Sequence, residues 1–262
     1  MTYLDELLSA RRKRVDRARG SRPLSDLRTA AGDAAPSRRD FARALVAGAR
    51  PSIIAEFKRS SPSAGPIAEQ ADARAVAIAY ETGGAAALSV LTEPERFHGS
   101  FDDIRAARSA TSLPVLCKDF VIDDYQIWEA AANGADAILL IVAAMPPDEL
   151  RARVALVGET GMTPLVEAHD ERELDIALHA GARVVGVNNR DLRTFVVDTK
   201  TAVRLRARIP AGIVSVAESG YRTADDIAAC ASAGYDAILV GEALMRDADP
   251  ARALSSLRAN VR

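Results

Sequence analysis

Short aliphatic and β-branched runs punctuate the chain: Ser52–Phe57, Ala86–Leu91, Pro114–Lys118, Asp136–Val142, Thr163–Glu167, Arg183–Asn188, Ile213–Ala217 and Asp236–Val240. Each has the length of a strand and is apolar almost throughout, as a strand buried on both faces should be. Between them lie amphipathic segments rich in Ala, Leu, Arg, Asp and Glu, such as Ala68–Glu81, Asp124–Asn133, Pro147–Val157, Glu171–His179 and Thr223–Ala233. These predict helices. Asp170 is placed to cap one of them, with Glu173 three residues on, and Gly134, Gly181 and Gly234 stand where helices should stop.

The runs begin about every 26 residues, the size of one βα unit. A local echo, NGADAILLIV, HAGARVVGVN and SAGYDAILVG, repeats the order of helix end, glycine and buried strand. Eight such units predict an α/β fold, a (β/α)8 barrel of the TIM type. An open doubly wound sheet is the alternative, because a strand count does not show closure. Residues 1–50 read as a helical extension capping the barrel and residues 51–262 as the barrel catalytic domain, one structural domain in all. In the extension Leu4, Leu7, Leu8 and Val15 can share an apolar stripe, Arg11–Arg14 reads as a solvated face, and residues 32–39 read as a loop.

Composition narrows the function. Thirty-four basic residues stand against 36 acidic ones, a net charge of −2, which argues against a dedicated nucleic-acid or membrane-surface protein. The two cysteines, Cys117 and Cys230, make no disulfide framework and have no metal-like spacing. No metal is expected, and a cytoplasmic location is. The longest apolar stretch, Ala137–Met145, is far shorter than the ~20 residues a membrane helix needs.

Only four of the 34 basic residues are lysine: Lys13, Lys58, Lys118 and Lys200. Lysine can give up a proton near neutral pH and guanidinium cannot, so lysines in an arginine-rich chain are candidates for chemistry. Two of the four end strands. Glu56 and Lys58 close the first run on one face of the strand, and Lys118 closes the third. The fifth, sixth and seventh runs lead into Glu167, Asn188 and Glu218-Ser219. Barrel enzymes place their active sites at the C-terminal ends of the strands, and a ring of buried charge there is expensive unless function requires it.

Gly220 after the seventh run, and Gly241-Glu242 after the eighth just before a short helix, occupy the usual phosphate position of a barrel. Ser60, Ser61 and Ser63 can add hydroxyls. Phe97 and Phe120 can form an apolar wall, with core filling the equal alternative. His169 follows Glu167 by two and can reach the rim, with a capping or solvent role favoured, and Cys117 points away from the lysine face.

The segments IIAEFKRSSPSAG, LSVLTEPERFHGS, PVLCKDFVID, PLVEAHD, VGVNNRDL, VAESGY and ILVGEALMR together resemble the indole-3-glycerol phosphate synthase family over nearly the whole chain. The resemblance implies a barrel that closes an indole ring in tryptophan biosynthesis, a carboxy-lyase that works without metal or organic cofactor. It implies a small sugar-phosphate substrate, 1-(2-carboxyphenylamino)-1-deoxyribulose 5-phosphate; a monomer, binding no nucleic acid or membrane, is the expectation beside it. Carried onto this sequence, Lys118 is the general acid of ring closure and Glu167 the acid/base group of dehydration. Lys58 lies near the leaving hydroxyl with Glu56 orienting it, and Asn188, Glu218 and Ser219 complete the rim. Arg190 meets the anthranilate carboxylate. Ser61, Gly220, Gly241 and Glu242 hold phosphate, and Phe97 and Phe120 flank the ring. Family members often have another lysine after the first strand. Here the loop reads Arg59-Ser60-Ser61, so hydroxyls, amides or Arg59 would replace it. Without the resemblance, a Schiff-base aldolase with Lys118 as nucleophile, or a silent sugar-phosphate binder, would compete.

Overall fold

The computed structural model describes residues 3–192 and 194–260. Eight parallel strands close into a barrel: β1 (Ser52–Phe57), β2 (Ala87–Leu91), β3 (Val115–Lys118), β4 (Ala137–Ile141), β5 (Thr163–Ala168), β6 (Val184–Asn188), β7 (Val214–Glu218) and β8 (Ala237–Val240). Each pairs with its neighbours in sequence, and β1 closes on β8 with Ser52 opposite Ala237. Closure removes the open sheet as an alternative. Every strand begins and ends within one residue of its hydrophobic run.

Period-two alternation divides these apolar strands into two cores. Ile53, Ala55, Val115, Cys117, Val166 and Val185 face outward against the helices. Ile54, Leu116, Leu139, Leu165, Val216 and Leu239 fill the interior. The outer ring comprises α4 (Ala73–Gly83), α5 (Phe101–Ala110), α6 (Asp124–Ala132), α7 (Pro147–Glu159), α8 (Glu171–His179), α9 (Lys200–Arg206), α10 (Ala224–Ala233) and α12 (Pro250–Leu257), with the short α11 (Glu242–Met245) after β8. Helix α4 starts five residues later than its amphipathic pattern suggests, because Asp72 caps it by accepting from the Ala75 amide at 3.0 Å.

Three helices precede the barrel: α1 (Tyr3–Ser21), α2 (Leu24–Ala34) and α3 (Phe41–Val46). Phe41 and Leu45 join the interior core and α3 touches the β1, β2 and β7 strands, while Leu4 and Leu7 join the same core beside Phe120. Val15 and Leu27 pack with Tyr125 of α6. Two expectations for this region fail. Arg11 is not solvated: it is 3% exposed and paired with the buried Asp119. Residues 32–39 are not a plain loop either, because α2 continues to Ala34 and a 3-10 turn follows over Ala35–Ser37. That turn delivers two arginines to backbone carbonyls at the base of the barrel. Arg38 donates to Ala131 and Ala135 at the end of α6, both at 2.8 Å, and Arg39 donates to Leu113 at 2.6 Å.

Two of the three echo segments share an aspartate with a physical cause at the same end. Asp136, just before β4, accepts from the Val115 amide at 2.9 Å and pairs with Arg108 at 2.5 Å. Asp236, just before β8, accepts from the Ser215 amide at 2.9 Å and pairs with Arg50 at 2.9 Å. Each aspartate staples its strand to the start of the preceding one. Asp136 also accepts from the Arg39 amide at 2.8 Å, so removing its carboxylate orphans buried donors. Asp136→Ala should lower stability by roughly 2–4 kcal/mol, a fall in Tm of about 5–15 °C, with kcat at 25 °C within about twofold because the residue lies at the face opposite the strands' C-terminal ends. Calorimetry and steady-state rates on one sample check both halves.

Candidate active site

The alternation that fills the interior also builds the site. Two residues beyond the inward-facing Ile54, Leu116, Leu165, Gly186 and Val216 stand Glu56, Lys118, Glu167, Asn188 and Glu218. All five therefore emerge on the inner face at the C-terminal rim. With Lys58 they line one cavity of about 530 Å³. The cavity is also bordered by Ser61, Phe97, Phe120, Arg190, Ser219, Gly220, Gly241 and Glu242, so every candidate site residue meets there.

Two glycines make room for the charged groups. A Cβ on Gly186 would lie 2.0 Å from Glu218 Oε1, and one on Gly241 would lie 2.4 Å from Glu56 Oε1. Ser219 and Gly220 take consecutive left-handed conformations, φ 65° and 92°. The strain at a serine is of order 1 kcal/mol. Buried Asn189 restrains that turn: its Nδ2 donates to the Ser219 carbonyl at 2.9 Å and its Oδ1 accepts from the Ala202 amide at 2.9 Å. This holding role is invisible in the run of residues after β6.

The electrostatics centre on Lys118. Its ammonium lies 3.8 Å from both Glu167 and Glu218, an ion-pair distance too long for hydrogen bonds. Burial alone would lower its pKa, but Glu167, Glu218 and Glu56 outweigh burial and raise it, so it stays charged. Burial pushes the other way on Glu167, yet Lys118 and then His169 hold that carboxyl well below the usual range. Glu218 moves upward, first from burial and then from the charge of Glu167. Glu167 Oε2 and both Glu218 oxygens are buried without a hydrogen-bond partner among the described residues. Orphaned acceptors beside a suspended ammonium mark a place for a polar ligand. Lys58 instead donates to Glu56 at 2.7 Å, and the two lysines, with burial opposing, keep Glu56 ionised.

Two expected contributions change. Arg59 turns away from the cavity and clamps Asp103 with two 2.7 Å bonds, so it is not a phosphate ligand. Glu242 directs its carboxylate to Arg246 at 3.1 Å, which leaves its backbone as the part available to an anion. Phe97 and Phe120 do face each other, ring centroids 6.4 Å apart. The loop carrying Phe97 is organised by Glu93, which accepts from the amides of Glu95, Arg96 and Phe97. Among the described residues no group of three or more His, Cys, Asp or Glu is arranged to hold a metal ion, and no helix is long and apolar enough to cross a membrane.

The chain matches the family model "Indole-3-glycerol phosphate synthase" over residues 4–257. It is 49% identical over 245 residues to indole-3-glycerol phosphate synthase of Chlorobium phaeovibrioides, covering 93% of this chain and 95% of the relative. It is 53% identical over 224 residues to indole-3-glycerol phosphate synthase 2 of Streptomyces coelicolor, covering 86% of each. With the Mycobacterium avium protein of the same name the identity is 48% over 258 residues, 98% of this chain and 93% of the relative. Among solved structures, thiamine phosphate pyrophosphorylase from Pyrococcus furiosus superposes with a TM-score of 0.63 at 17% identity, covering 84% of this chain and 96% of that one, a likeness of fold alone. With a rim of Lys118, Glu167, Glu218 and the Glu56–Lys58 pair on a closed barrel, and matches of this length and identity, the chain belongs to the indole-3-glycerol phosphate synthase family.

Proposed function

We propose that this chain converts 1-(2-carboxyphenylamino)-1-deoxyribulose 5-phosphate to indole-3-glycerol phosphate, carbon dioxide and water. The observation that carries the reading is the Lys118 ammonium, suspended between two buried carboxylates with no hydrogen bond to either. Ring closure needs a carbonyl oxygen protonated while an electron-rich aromatic carbon attacks it. An ammonium held charged in a dry site can donate that proton and stabilise the developing negative charge. A Schiff-base role would require a neutral amine, and the carboxylates around Lys118 oppose its formation.

The remaining roles follow from position. Phe97, Phe120 and the aliphatic side chains of Leu4, Leu7 and Leu139 offer one apolar side of the cavity for the aromatic ring. Excluding water from the ring's carboxylate favours loss of carbon dioxide. Arg190 is the cation for that carboxylate before it departs. On the far side Ser61, Gly220, Gly241 and the Glu242 amide receive the phosphate. Between them, Glu167 takes the ring proton during dehydration, and Lys58, oriented by Glu56, assists departure of hydroxide. Asn188 and Ser219 hold the substrate hydroxyls. Glu218 acts as the second carboxyl beside Lys118. A small phosphorylated substrate and a chain acting as a monomer in the cytoplasm complete the reading.

Lys118→Arg keeps the charge and loses the titratable amine, so kcat should fall about 10²–10⁴-fold, with Tm little changed. Activity within a few-fold of wild type would remove Lys118 from its role.

The two halves of the reaction should separate in single-turnover experiments. Lys118→Ala should leave substrate unconsumed. Glu167→Gln should accumulate a decarboxylated, hydroxylated intermediate whose five-membered ring is not yet aromatic. Both variants stalling at one species would mean that the two groups act as one unit.

Gly241→Ala should affect KM and kcat together, at least about tenfold in kcat/KM. The new methyl group would reach both the phosphate loop and the Glu56 carboxylate. An unchanged KM would place the phosphate elsewhere.

A further inference from the structure

His169 follows β5 by one residue and lies two residues beyond Glu167, so strand alternation carries it toward the same inner face. Its ring bridges two carboxylates. Nδ1 bonds Glu173 Oε2 at 2.9 Å, and Nε2 approaches Glu167 Oε1 at 3.3 Å as an ion pair. The side chain is 14% exposed. A capping role does not account for this placement, because Asp170 already caps α8 by accepting from the Glu173 amide at 2.8 Å. Glu173 holds the His169 backbone as well, accepting its amide at 2.9 Å. The imidazole is therefore fixed at Nδ1, and its Nε2, without a hydrogen bond among the described residues, lies against the carboxylate assigned to proton transfer.

We infer that His169, clamped by Glu173, is a positioning residue for Glu167, fixing the orientation of that carboxylate beside Lys118. This rests on the reading of Glu167 as the acid/base group. Charges alternate along the line Glu173, His169, Glu167 and Lys118, and beyond Lys118 stands Glu218, whose carboxyl burial and the charge of Glu167 push up to about 8; Glu56 on β1 and Arg190 after β6 are the other charged groups around Lys118. Asn188 on β6 adds a neutral contact that also favours the ionised Glu167. Burial opposes charge on His169, but the two glutamate carboxylates beside it dominate and raise its pKa to about 10, so it is an imidazolium at neutral pH. A second cation behind Glu167 matters because it helps decide which of the two glutamates beside Lys118 carries the proton: Glu218 is pushed up to about 8 while Glu167 stays ionised. With His169 neutralised, Glu167 would lose that advantage and take up a proton more readily.

The test uses two variants that differ in the sign of their pH response. His169→Asn removes the cation. Its kcat should fall about tenfold with KM within about twofold, and the acid limb of the kcat profile should move up by about one to three units. Glu173→Gln keeps an oxygen for the backbone amide but withdraws the charge that sustains the imidazolium. Its kcat should stay near wild type at about pH 6 and decline as pH rises, because the pKa of His169 drops from about 10 toward its ordinary value. In a Glu167→Gln background, His169→Asn should cost little more. Wild-type kcat and pH profile in both single variants would overturn the inference, as would a pH-independent loss in both that follows their Tm. If Glu167→Gln itself is fully active, it is the assignment of Glu167 that fails. If that variant is inactive while the His169 and Glu173 variants are unchanged, only the positioning role fails.

Discussion

One interaction organises the site: an ammonium held at equal distance from two buried carboxylates. Lys118 lies 3.8 Å from Glu167 and from Glu218 and donates to neither. At that spacing the attraction keeps Lys118 charged, while its protons and the glutamate oxygens still need partners. A closer lysine commits one of its three donors and its orientation to its neighbour, as Lys58 does toward Glu56 at 2.7 Å. The two lysines illustrate the difference between an ammonium suspended among carboxylates and one oriented by a single partner. The space comes from the backbone as well, since Gly186 and Gly241 are bare where a methyl group would strike Glu218 or Glu56.

The opposite end of the barrel has a different purpose. There charged groups are paired and hydrogen-bonded almost to saturation. Asp136 and Asp236 staple strand starts, and Arg38 and Arg39 close off carbonyls at the ends of other elements. Burial of charge stabilises when every oxygen and proton finds a partner and costs free energy when some do not. The base of the barrel meets that condition. Among the described residues the rim leaves three carboxylate oxygens without a hydrogen bond, and the stability lost there is consistent with a surface shaped for a polar ligand.

How much of this was legible in the sequence depended on periodicity. The strands were readable because fully buried parallel strands are apolar on both faces, and their ends gave Glu56, Lys118, Glu167, Asn188 and Glu218 at once. Scarcity of lysine in an arginine-rich chain singled out Lys58 and Lys118. What stayed hidden were partnerships across long sequence separations. Arg11 looks like one of four basic residues on a helix, and only the fold brings Asp119 to it. Arg59 sits where a phosphate ligand is expected, and Asp103 claims it. His169 was legible in part: the alternation that placed Glu167 also placed it, but Glu173 is what turns a nearby imidazole into a fixed cation. The recurring aspartate of the echo was visible as a pattern, yet its meaning lay in the amide of the preceding strand.

The account stands on the charge of Lys118, and the rarity of lysine makes that charge measurable. With only Lys13, Lys58, Lys118 and Lys200 in the chain, protein labelled with 13C at the lysine ε-carbons gives four signals, assignable by single substitutions. A titration of the Lys118 signal in the unliganded enzyme reports its ionisation directly. An ammonium sustained by Glu167, Glu218 and Glu56 should show no inflection below the ordinary lysine value of about 10.4. A midpoint near about 7–8, the behaviour of a desolvated nucleophilic amine, would contradict the account.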